Sequence, residues 1–342
     1  MRAILITEFE AKSKGKTVPS ISEDYLISEL SERYYKFSTY LKRQFKTKVH
    51  KISIDAGFSC PNRNGVISKD GCVYCNNRGF SVNTKIPLPS LYLQIEEGIK
   101  RLRQRFKAEK FIVYFQAYTN TYADLMTLKQ RYDSVKNFED IVGISIATRP
   151  DCINEGILDL INSYTEDYEV WIEYGVQSIH QPTLEFINRG HLYEDFLKAV
   201  ELTRKKEKIK IGAHLIIGLP FETEEMIQET AKALAILKLD GIKLHPLYIV
   251  KDTKLEMLFH QKLYQPLGLN KYLDLVIGFL EHLWPKTVIQ RISADCPKEL
   301  LVAPSWILNK NQVLQEVERR LLEEERFQGK LWQEIKKRKS FA

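Results

Sequence analysis

Six short apolar runs, each followed by a longer stretch of helical character, dominate the sequence after residue 50. The runs are rich in β-branched and aromatic residues, and their near-continuous apolar character is typical of parallel strands buried on both faces. This repeat restricts the chain to an α/β fold, and six βα units predict a partial (β/α)6 barrel of the TIM type. The predicted strands are residues 51–55, 111–115, 141–146, 169–174, 211–217 and 242–247. The predicted helices are residues 90–107, 122–137, 152–163, 182–206, 223–239 and 253–261.

The alternative architecture is an open, doubly wound sheet, which usually carries a G-x-G-x-x-G turn after its first strand. No such motif follows residues 51–55, so the barrel is favoured. A full barrel would need two more strands, which the pattern does not predict. We expect residues 1–50 to form a basic N-terminal extension, residues 51–261 to form the barrel, and residues 262–342 to form a mainly helical C-terminal cap with a basic tail.

Polar residues stand where the predicted strands end. They include residues 116–119 (QAYT), 148–151 (TRPD) and 173–177 (EYGVQ). Because ligands bind at the carboxyl ends of the strands in parallel βα folds, we expect a ligand site there. Burying polar groups costs free energy unless they are paired, which argues against a purely structural origin. Asp151 and Thr223 are assigned mainly to helix capping, since each is a typical N-cap residue before a predicted helix.

Three of the five cysteines lie in the segment CPNRNGVISKDGCVYCNNRG, after the first predicted strand. Cys60, Cys72 and Cys75 are separated by eleven and two residues. A structural zinc site usually has four Cys or His ligands. A fourth ligand would have to be His50, Cys152 or Cys296. Thiolates also hold iron–sulfur clusters, and three thiolates on a four-iron cluster leave one iron open for a substrate or cofactor. Spacing and barrel context favour the cluster, with zinc as the alternative.

The odd number of cysteines and their clustering argue against a disulfide framework and for a reducing, cytoplasmic location. No apolar run is long enough for a membrane-spanning helix, so no membrane association is predicted. The N-terminus, MRAILITEFE, has an early acidic residue and no small-residue cleavage site, so it does not resemble a signal peptide.

The net charge of +7 is unevenly distributed. Residues 32–51 carry seven bases and one acid, and residues 100–110 and 326–342 each carry six bases and one acid. Such segregated bases, with aromatic residues among them in the first and third segments, predict a polyanionic partner such as a nucleic acid. Solvated helix faces and a frayed tail are the alternative interpretation.

Several segments, in this order, resemble the radical S-adenosylmethionine (SAM) enzymes. They are DAGFSCPNRNG, GCVYCNNRG, YFQAYTNTY, ATRPDC, EYGVQS, NRGH, HLIIGLP and IKLHPLY. The resemblance covers roughly residues 34–330. It is strongest to the bacterial YhcC/YtqA-like family, which is related to the radical SAM domain of the Elongator catalytic subunit. It implies that the predicted fold is the partial (β/α)6 radical SAM barrel.

The resemblance implies two cofactors. Cys60, Cys72 and Cys75 would hold a 4Fe–4S cluster, and its open iron would bind the amino and carboxylate groups of SAM. The reduced cluster would cleave SAM to methionine and a 5′-deoxyadenosyl radical, which abstracts a hydrogen atom from the substrate. An electron donor such as flavodoxin or ferredoxin would then be a partner.

The resemblance also assigns contacts to SAM. Arg189 would contact the SAM carboxylate, since a guanidinium fork suits that anion. Elongator-like sequences have a glutamate where this chain has Ala147, so a ribose-binding carboxylate is missing there, and Glu173 is the candidate replacement. The other predicted contacts are Tyr74 beside the adenine, Gln116 and Ala117 at the amino group, Gln177 at the ribose, and Gly218, whose backbone would approach the adenine.

Elongator-type enzymes act on the wobble uridine of tRNA, and the resemblance implies the same nucleoside here. A 5-carboxymethylaminomethyl side chain of (2-thio)uridine would be converted toward 5-aminomethyl. The basic segments agree with an RNA partner, because phosphates supply affinity and aromatic residues can stack an extruded base. The predicted catalytic residues are Tyr118, Arg149, His214 and His245, with Tyr174 and Arg291 as further substrate-side candidates. The alternatives are a radical SAM enzyme for a small or porphyrin-like molecule and a zinc-stabilised nucleic-acid-binding protein.

Overall fold

The computed structural model describes residues 32–77 and 88–332. Residues 1–31, 78–87 and 333–342 lie outside the described part. These residues include most of the predicted N-terminal extension, the last two residues of the cysteine segment and most of the predicted basic tail.

Seven parallel strands form one curled, open sheet. The strands of the described chain are β1 Val49–Ile54, β2 Lys110–Phe115, β3 Ile141–Thr148, β4 Glu169–Gln177, β5 Lys210–Ile217, β6 Gly241–Pro246, β7 Ile249–Val250, β8 Val288–Arg291 and β9 Leu301–Ala303. The sheet has the order β1-β2-β3-β4-β5-β6-β8. Strands that follow one another in sequence are thus neighbours in space, as consecutive βα units require. The predicted partial barrel is confirmed, with one strand more than the six expected.

Side chains alternate between the two faces of the sheet. In β4, Val170 and Ile172 join the core beneath the helices, whereas Trp171 and Glu173 point into the barrel. The outward face is apolar on every strand of the barrel from β1 to β6, which explains the apolar runs in the sequence. The inward face is markedly polar at mid-depth, where it carries Lys51, Tyr114, Ser145, Glu173, His214, Lys243 and Gln290.

Helices cover the outer face. They are α1 Phe37–Phe45, α2 Leu91–Phe106, α3 Leu125–Tyr132, α4 Glu155–Ser163, α5 Gln181–Phe186, α6 Tyr193–Arg204, α7 Glu224–Leu237, α8 Lys254–His260, α9 Leu269–His282 and α10 Lys310–Glu323. Short 3₁₀ helices span Asp133–Asn137, Pro150–Cys152, Tyr164–Glu166 and Ser305–Leu308. Thr223 caps α7 as predicted, because its side chain accepts from the Met226 amide. In the described part of the chain, no helix has the length and apolar character needed to cross a membrane.

The single helix predicted over residues 182–206 is wrong. The chain forms α5 and α6 instead, and a loop that carries Arg189 separates them. Asn188 and Gly190 in this loop have φ of 52° and 70°, in the left-handed region where a right-handed helix cannot continue.

Helix α1 fills the gap between β1 and β8, which are the two edges of the curled sheet. Lys36, just before the helix, forms a parallel bridge to Ile289 of β8. Phe37 and Tyr40 pack edge-on against Trp171, with ring centroids 5.8 and 5.7 Å away. This aromatic cluster closes the amino end of the barrel, so the polar interior opens at the carboxyl end.

The region predicted as a helical cap is only partly helical. Its strand β8 is hydrogen-bonded to β6 and completes the barrel sheet, and β9 pairs antiparallel with β7. Helix α10 buries Val313, Val317 and Leu321 against the rest of the core. A boundary between residues 261 and 262 would therefore separate a strand from its own sheet.

Candidate functional site

A cavity opens at the carboxyl ends of the barrel strands. The cysteine segment forms one wall of it, the loop between α5 and α6 forms another, and the strands form its floor. The structure thus gathers most predicted site residues around one space, at the face where parallel βα folds bind ligands. The predicted residues that line it are Cys60, Cys72, Tyr74, Cys75, Gln116, Tyr118, Arg149, Glu173, Gln177, Arg189, His214, His245 and Arg291.

Three predicted residues are not among those that line the cavity. Ala117 is buried beside Gln116. Gly218 has φ of 96°, and a Cβ there would lie 2.8 Å from Leu267 Cδ1, so its open side faces the C-terminal region. Tyr174 points outward to the helices, and its hydroxyl forms a 2.6 Å hydrogen bond with Thr203.

Tight turns shape the cysteine segment. The Arg63 amide donates to the Cys60 carbonyl at 2.9 Å, and the Cys75 amide donates to the Cys72 carbonyl at 2.9 Å. These turns bring Cys60 and Cys72, which are twelve positions apart in sequence, onto the wall of the same cavity.

The cysteine segment also docks on the loop between α5 and α6. The Val73 amide donates to the Ile187 carbonyl at 3.0 Å. Asn188 Nδ2 donates to the Gly71 carbonyl at 2.7 Å, and Asn62 Nδ2 donates back to the Asn188 carbonyl at 2.6 Å. Protein contacts therefore fix the segment at two points close to Cys72.

Nitrogen donors surround the sulfur atoms. Asn62 Nδ2 and Arg189 Nη1 lie 3.5 and 3.7 Å from Cys72 Sγ, and Arg63 Nη1 lies 3.5 Å from Cys75 Sγ. Hydrogen bonds and positive charge next to sulfur stabilise thiolates and tune iron–sulfur clusters. Burial of the thiol, followed by the negative charge of the neighbouring Cys72 thiolate, raises the pKa of Cys75 to about 12. Binding of a positively charged metal centre would displace this proton.

The donor set fits a cluster better than a single metal ion. Among the described residues, no three His, Cys, Asp or Glu side chains converge closely enough to hold one ion. In a four-iron cluster each thiolate binds its own iron, so such convergence is not required. His50 stacks on Phe106 at 4.8 Å, at the amino end of β1 and far from the cysteine wall. Cys296 packs in a separate small core with Ile307.

The Arg149 side chain makes hydrogen bonds to parts of the chain that form the site. Its Nε and Nη2 pair with the two carboxylate oxygens of Asp151 at 2.9 and 2.7 Å. Its Nη1 and Nη2 donate to the carbonyls of Arg189 and Gly190 at 2.8 and 3.1 Å. These contacts support a positioning role rather than the predicted catalytic one. The capping role predicted for Asp151 is wrong as well, because Asn154 caps α4.

Arg189 reaches the cavity beside the cysteine wall. Its side chain is buried, and Nη2 donates to the Gly175 carbonyl at 2.7 Å. Its Nε has no partner among the described residues. A Cβ on Gly175 would lie 2.7 Å from Arg189 Nη2, so a larger residue there would displace the end of the Arg189 side chain. A buried guanidinium with an unused N–H suits the predicted contact with a carboxylate.

The floor of the cavity consists of inward-facing strand residues, namely Tyr114, Glu173, His214, Lys243, His245 and Arg291. Glu173 is fully buried at its centre. Its Oε1 accepts from Lys51 and Ser145, and its Oε2 accepts from Lys243 at 2.6 Å and His214 at 2.5 Å. Burial raises the pKa of Glu173, but Lys243, Lys51 and His214 outweigh it and hold the pKa well below its usual range. Since both oxygens are occupied, Glu173 does not supply the predicted ribose-binding carboxylate.

His214 and His245 lie side by side on the floor, with ring centroids 5.8 Å apart. Burial and the charge of Lys243 lower the pKa of His214 to about 4. Burial and the charge of Arg291 lower the pKa of His245 well below its usual range. Both rings are therefore neutral near pH 7, and His214 carries its proton on Nε2, which faces Glu173.

The lysines of this floor network were not among the predicted site residues. Lys51 precedes the outward-facing Ile52 in KISID, and Lys243 lies between the outward-facing Ile242 and Leu244 in IKLHPL. A charged residue at alternate positions of a strand that is otherwise apolar marks the inward face of a barrel. That spacing is the signal that could have identified both.

The profile described as the Radical SAM superfamily matches residues 60–234 of this chain, and the profile of the Radical_SAM C-terminal domain matches residues 239–323. With the fold and the cysteine wall described above, this match shows that the chain belongs to the radical SAM superfamily. Proteins of this class use a 4Fe–4S cluster and SAM.

Within that class, the chain is 36% identical over 308 residues to the uncharacterized protein YtqA of Bacillus subtilis, which covers 90% of this chain and 95% of YtqA. The predicted resemblance to the YhcC/YtqA-like family is thereby confirmed. The tRNA uridine(34) acetyltransferase of Methanocaldococcus jannaschii is 31% identical over 165 residues, 47% of this chain and 30% of that protein. The structure of Methanocaldococcus infernus Elp3 superposes with a TM-score of 0.58 at 19% identity, covers 80% of this chain and 63% of its own, and has the same fold.

The residues present fit both cofactors. Cys60, Cys72 and Cys75 would hold the cluster, and Arg189 is placed to bind the carboxylate of SAM. When bound, the two groups supply one-electron chemistry that removes a hydrogen atom from an unactivated carbon. The protein's own contribution is to orient SAM and substrate against each other and to shield the floor from water. Tyr74, Gln116 and Gln177 line the same cavity and stay predicted SAM contacts.

Proposed function

We propose that this chain modifies the side chain of the wobble uridine of a tRNA by hydrogen abstraction, in a reducing cytoplasm. The observation that carries the proposal is the single cavity that joins the cysteine wall, Arg189 and a charged floor. The three cysteines and the charged floor residues line the same cavity, so a cofactor on the wall and a nucleoside above the floor would lie side by side. The similarity to a tRNA uridine(34) acetyltransferase supports the choice of RNA.

The specific reaction we propose converts 5-carboxymethylaminomethyl-(2-thio)uridine to 5-aminomethyl-(2-thio)uridine. The bond between the side-chain nitrogen and the carboxymethyl carbon breaks. That carbon is oxidised by two electrons and leaves as glyoxylate, with its new oxygen from water. One SAM is reduced by two electrons to methionine and 5′-deoxyadenosine, so the overall reaction balances without a further oxidant.

Deletion of the gene is expected to change the modified nucleosides of the cell's tRNA. The carboxymethylaminomethyl form should accumulate, and the aminomethyl form and its derivatives should fall several-fold, because the converting step is lost. Mass spectrometry of digested tRNA measures both nucleosides. Re-expression of the wild-type gene should restore the profile, whereas a Cys72→Ser gene should not. An unchanged profile would refute the tRNA reaction and favour a small-molecule substrate.

In the part of the chain that the structure describes, the predicted basic segments do not surround the cavity. The Lys48 carbonyl accepts from the Lys110 amide at 3.3 Å, which places the ends of the first two segments at the amino ends of β1 and β2. Gln328, in the described part of the third segment, donates to the Thr287 carbonyl at 2.8 Å, just before β8. Apart from Lys51, which reaches Glu173, the described bases of these segments therefore lie toward the end of the barrel opposite to the cavity.

Other exposed cations lie in or beside the cysteine segment, which forms one wall of the cavity, and we call them the rim cations. Arg63 and Lys69 are exposed in the cysteine segment. The Lys251 carbonyl accepts from Asn76 Nδ2 at 2.8 Å, so the exposed Lys251 lies beside the same segment. We assign the phosphates next to the bound uridine to these rim cations.

Neutralising two rim cations, as Lys69→Gln with Lys251→Gln, should weaken tRNA binding. The slope of log affinity against log salt should fall by about 2, since each phosphate contact contributes about 1. Filter binding at several salt concentrations measures this. The matched control is Lys42→Gln with Lys48→Gln at the amino end, which should leave the slope unchanged. A larger effect of the control pair would place the RNA on the opposite end and overturn the rim assignment.

A further inference from the structure

The cavity floor carries more positive than negative charge. Lys51 and Lys243 both contact Glu173, the one carboxylate among the described floor residues, and Arg291 lines the same floor. Arg291 also pairs with Asp295, but that carboxylate is 62% exposed at the outer rim. Positive charge in a site removed from water costs free energy unless an anion compensates it.

Lys243 has an unused donor. Its Nζ donates to Tyr114 Oη at 3.0 Å and to Glu173 Oε2 at 2.6 Å. An ammonium has three N–H groups, so one remains without a partner in the described part of the chain, and Lys243 lines the cavity. Burial lowers the pKa of Lys243, and the negative charge of Glu173 raises it in part, so that the pKa is about 7. A bound anion would raise that pKa again.

Arg291 and His245 add donors next to Lys243. Arg291 uses Nε toward the Ser293 carbonyl at 2.6 Å and Nη2 toward Asp295, which leaves Nη1 without a partner among the described residues. His245 makes no hydrogen bond to the described residues and is neutral, so one of its ring nitrogens can donate. Lys243 and Arg291 are register partners on neighbouring strands. His245 follows Lys243 by two positions, so both point to the same face.

We propose that Lys243 and Arg291, assisted by His245, bind a carboxylate of the substrate at the cavity floor and so determine its specificity. The inference rests on the proposed function, in which the uridine side chain ends in a carboxymethyl group. A lysine and a guanidinium with free N–H groups suit a carboxylate, which accepts several charge-assisted hydrogen bonds. This carboxylate is distinct from that of SAM, which belongs at Arg189 on the cysteine wall.

The depth of the floor favours a carboxylate over an RNA phosphate. Lys243 has only 8% of its side chain exposed, and a phosphate would have to carry the nucleic-acid backbone with it to reach that position. A carboxylate at the end of a flexible base substituent can reach it while the sugar and phosphates stay at the mouth. The predicted substrate class is therefore a nucleoside with an acidic side chain rather than an amine or an amide.

The test compares two probes on the anaerobically prepared, SAM-loaded holoenzyme. The probes are 5-carboxymethylaminomethyluridine and its carboxamide, which has nearly the same shape and the same amine but no negative charge. Calorimetric titration should show that the wild-type protein binds the carboxylate about 10- to 100-fold more tightly, the range that charge-assisted hydrogen bonds give. Lys243→Gln and Arg291→Gln should each lose most of this preference while affinity for the carboxamide changes little.

The matched control is Lys198→Gln, which removes one positive charge from the exposed surface of α6 and should keep the full preference. Iron content and melting temperature of each variant show whether it has folded. Arg291 is the less buried of the two residues, so its variant keeps the test valid if Lys243→Gln does not fold. A preference that survives Arg291→Gln and any folded Lys243 variant overturns the assignment.

Failure of this inference and failure of the proposed function give different results. Equal binding of the two probes, or binding of neither, overturns the carboxylate site whatever the tRNA profile shows. A clear carboxylate preference together with an unchanged tRNA profile in the deletion strain supports the site and refutes the tRNA reaction. In that case the floor binds an acidic substrate from another source.

Discussion

Replacement of Cys60, Cys72 or Cys75 by serine is expected to abolish SAM cleavage, with a loss on the order of a thousandfold or more. Each thiol lines the same cavity, and serine offers a hard, protonated oxygen where iron–sulfur chemistry needs a soft thiolate. Two remaining thiolates would not hold the cluster. Iron and acid-labile sulfide per chain, together with the yield of 5′-deoxyadenosine, measure the effect after anaerobic reconstitution.

Cys296→Ser is the matched control, because Cys296 packs in a separate small core. It should retain iron, sulfide and SAM cleavage close to the wild-type values. If one of the three single variants kept a full complement of iron and sulfide, the corresponding cysteine would not be a ligand. Equal losses in the control would point to general misfolding instead.

Glu173→Gln is expected to lower the free energy of unfolding by about 3–5 kcal/mol, the cost of leaving buried charges without their partner. The carboxylate contacts both Lys51 and Lys243 and is itself fully buried. The neutral amide of glutamine cannot compensate the two ammonium groups. Its NH2 group would also face lysine, serine or histidine groups that donate hydrogen bonds to Glu173. Urea unfolding followed by circular dichroism measures the change in stability.

Two further variants make this result specific. Glu224→Gln breaks an exposed pair with Lys271 and should change the stability by no more than about 0.5–1 kcal/mol. The double variant Glu173→Gln, Lys243→Met should recover part of the loss, because it removes one of the uncompensated charges. A loss below about 1 kcal/mol for Glu173→Gln alone would show that water or rearrangement already relieves the buried charge.

The alternation of apolar runs and helices was sufficient to predict the class of fold, because each outward strand face is apolar along its length. It did not reveal β8. That strand has four residues, VIQR, and only two of them are buried, so it lacks the apolar run by which the others were recognised. Its partner β6 supplies the hydrogen bonds that hold it in the sheet. Tertiary pairing, rather than local sequence, decides the structure of such a short segment.

The cysteine wall was predictable because its spacing is local and chemically specific. The floor was not, since its residues come from five different strands and meet only when the sheet curls. Arg149 shows the same limit in another form. Its position at a strand end indicated a functional side chain, but only the fold brings Asp151 and the carbonyls of Arg189 and Gly190 around it. A position at the end of a strand therefore predicts that a residue lies at the site more reliably than it predicts whether the residue is catalytic or structural.

The docking of the cysteine segment has a consequence for the life of the protein in a cell. Contacts from Val73, Gly71 and Asn62 to the neighbouring loop hold the segment with protein hydrogen bonds alone. None of these three hydrogen bonds uses a cysteine sulfur, so we expect them to form with or without a bound cluster. Loss of iron would then leave a folded wall that can take up a new cluster.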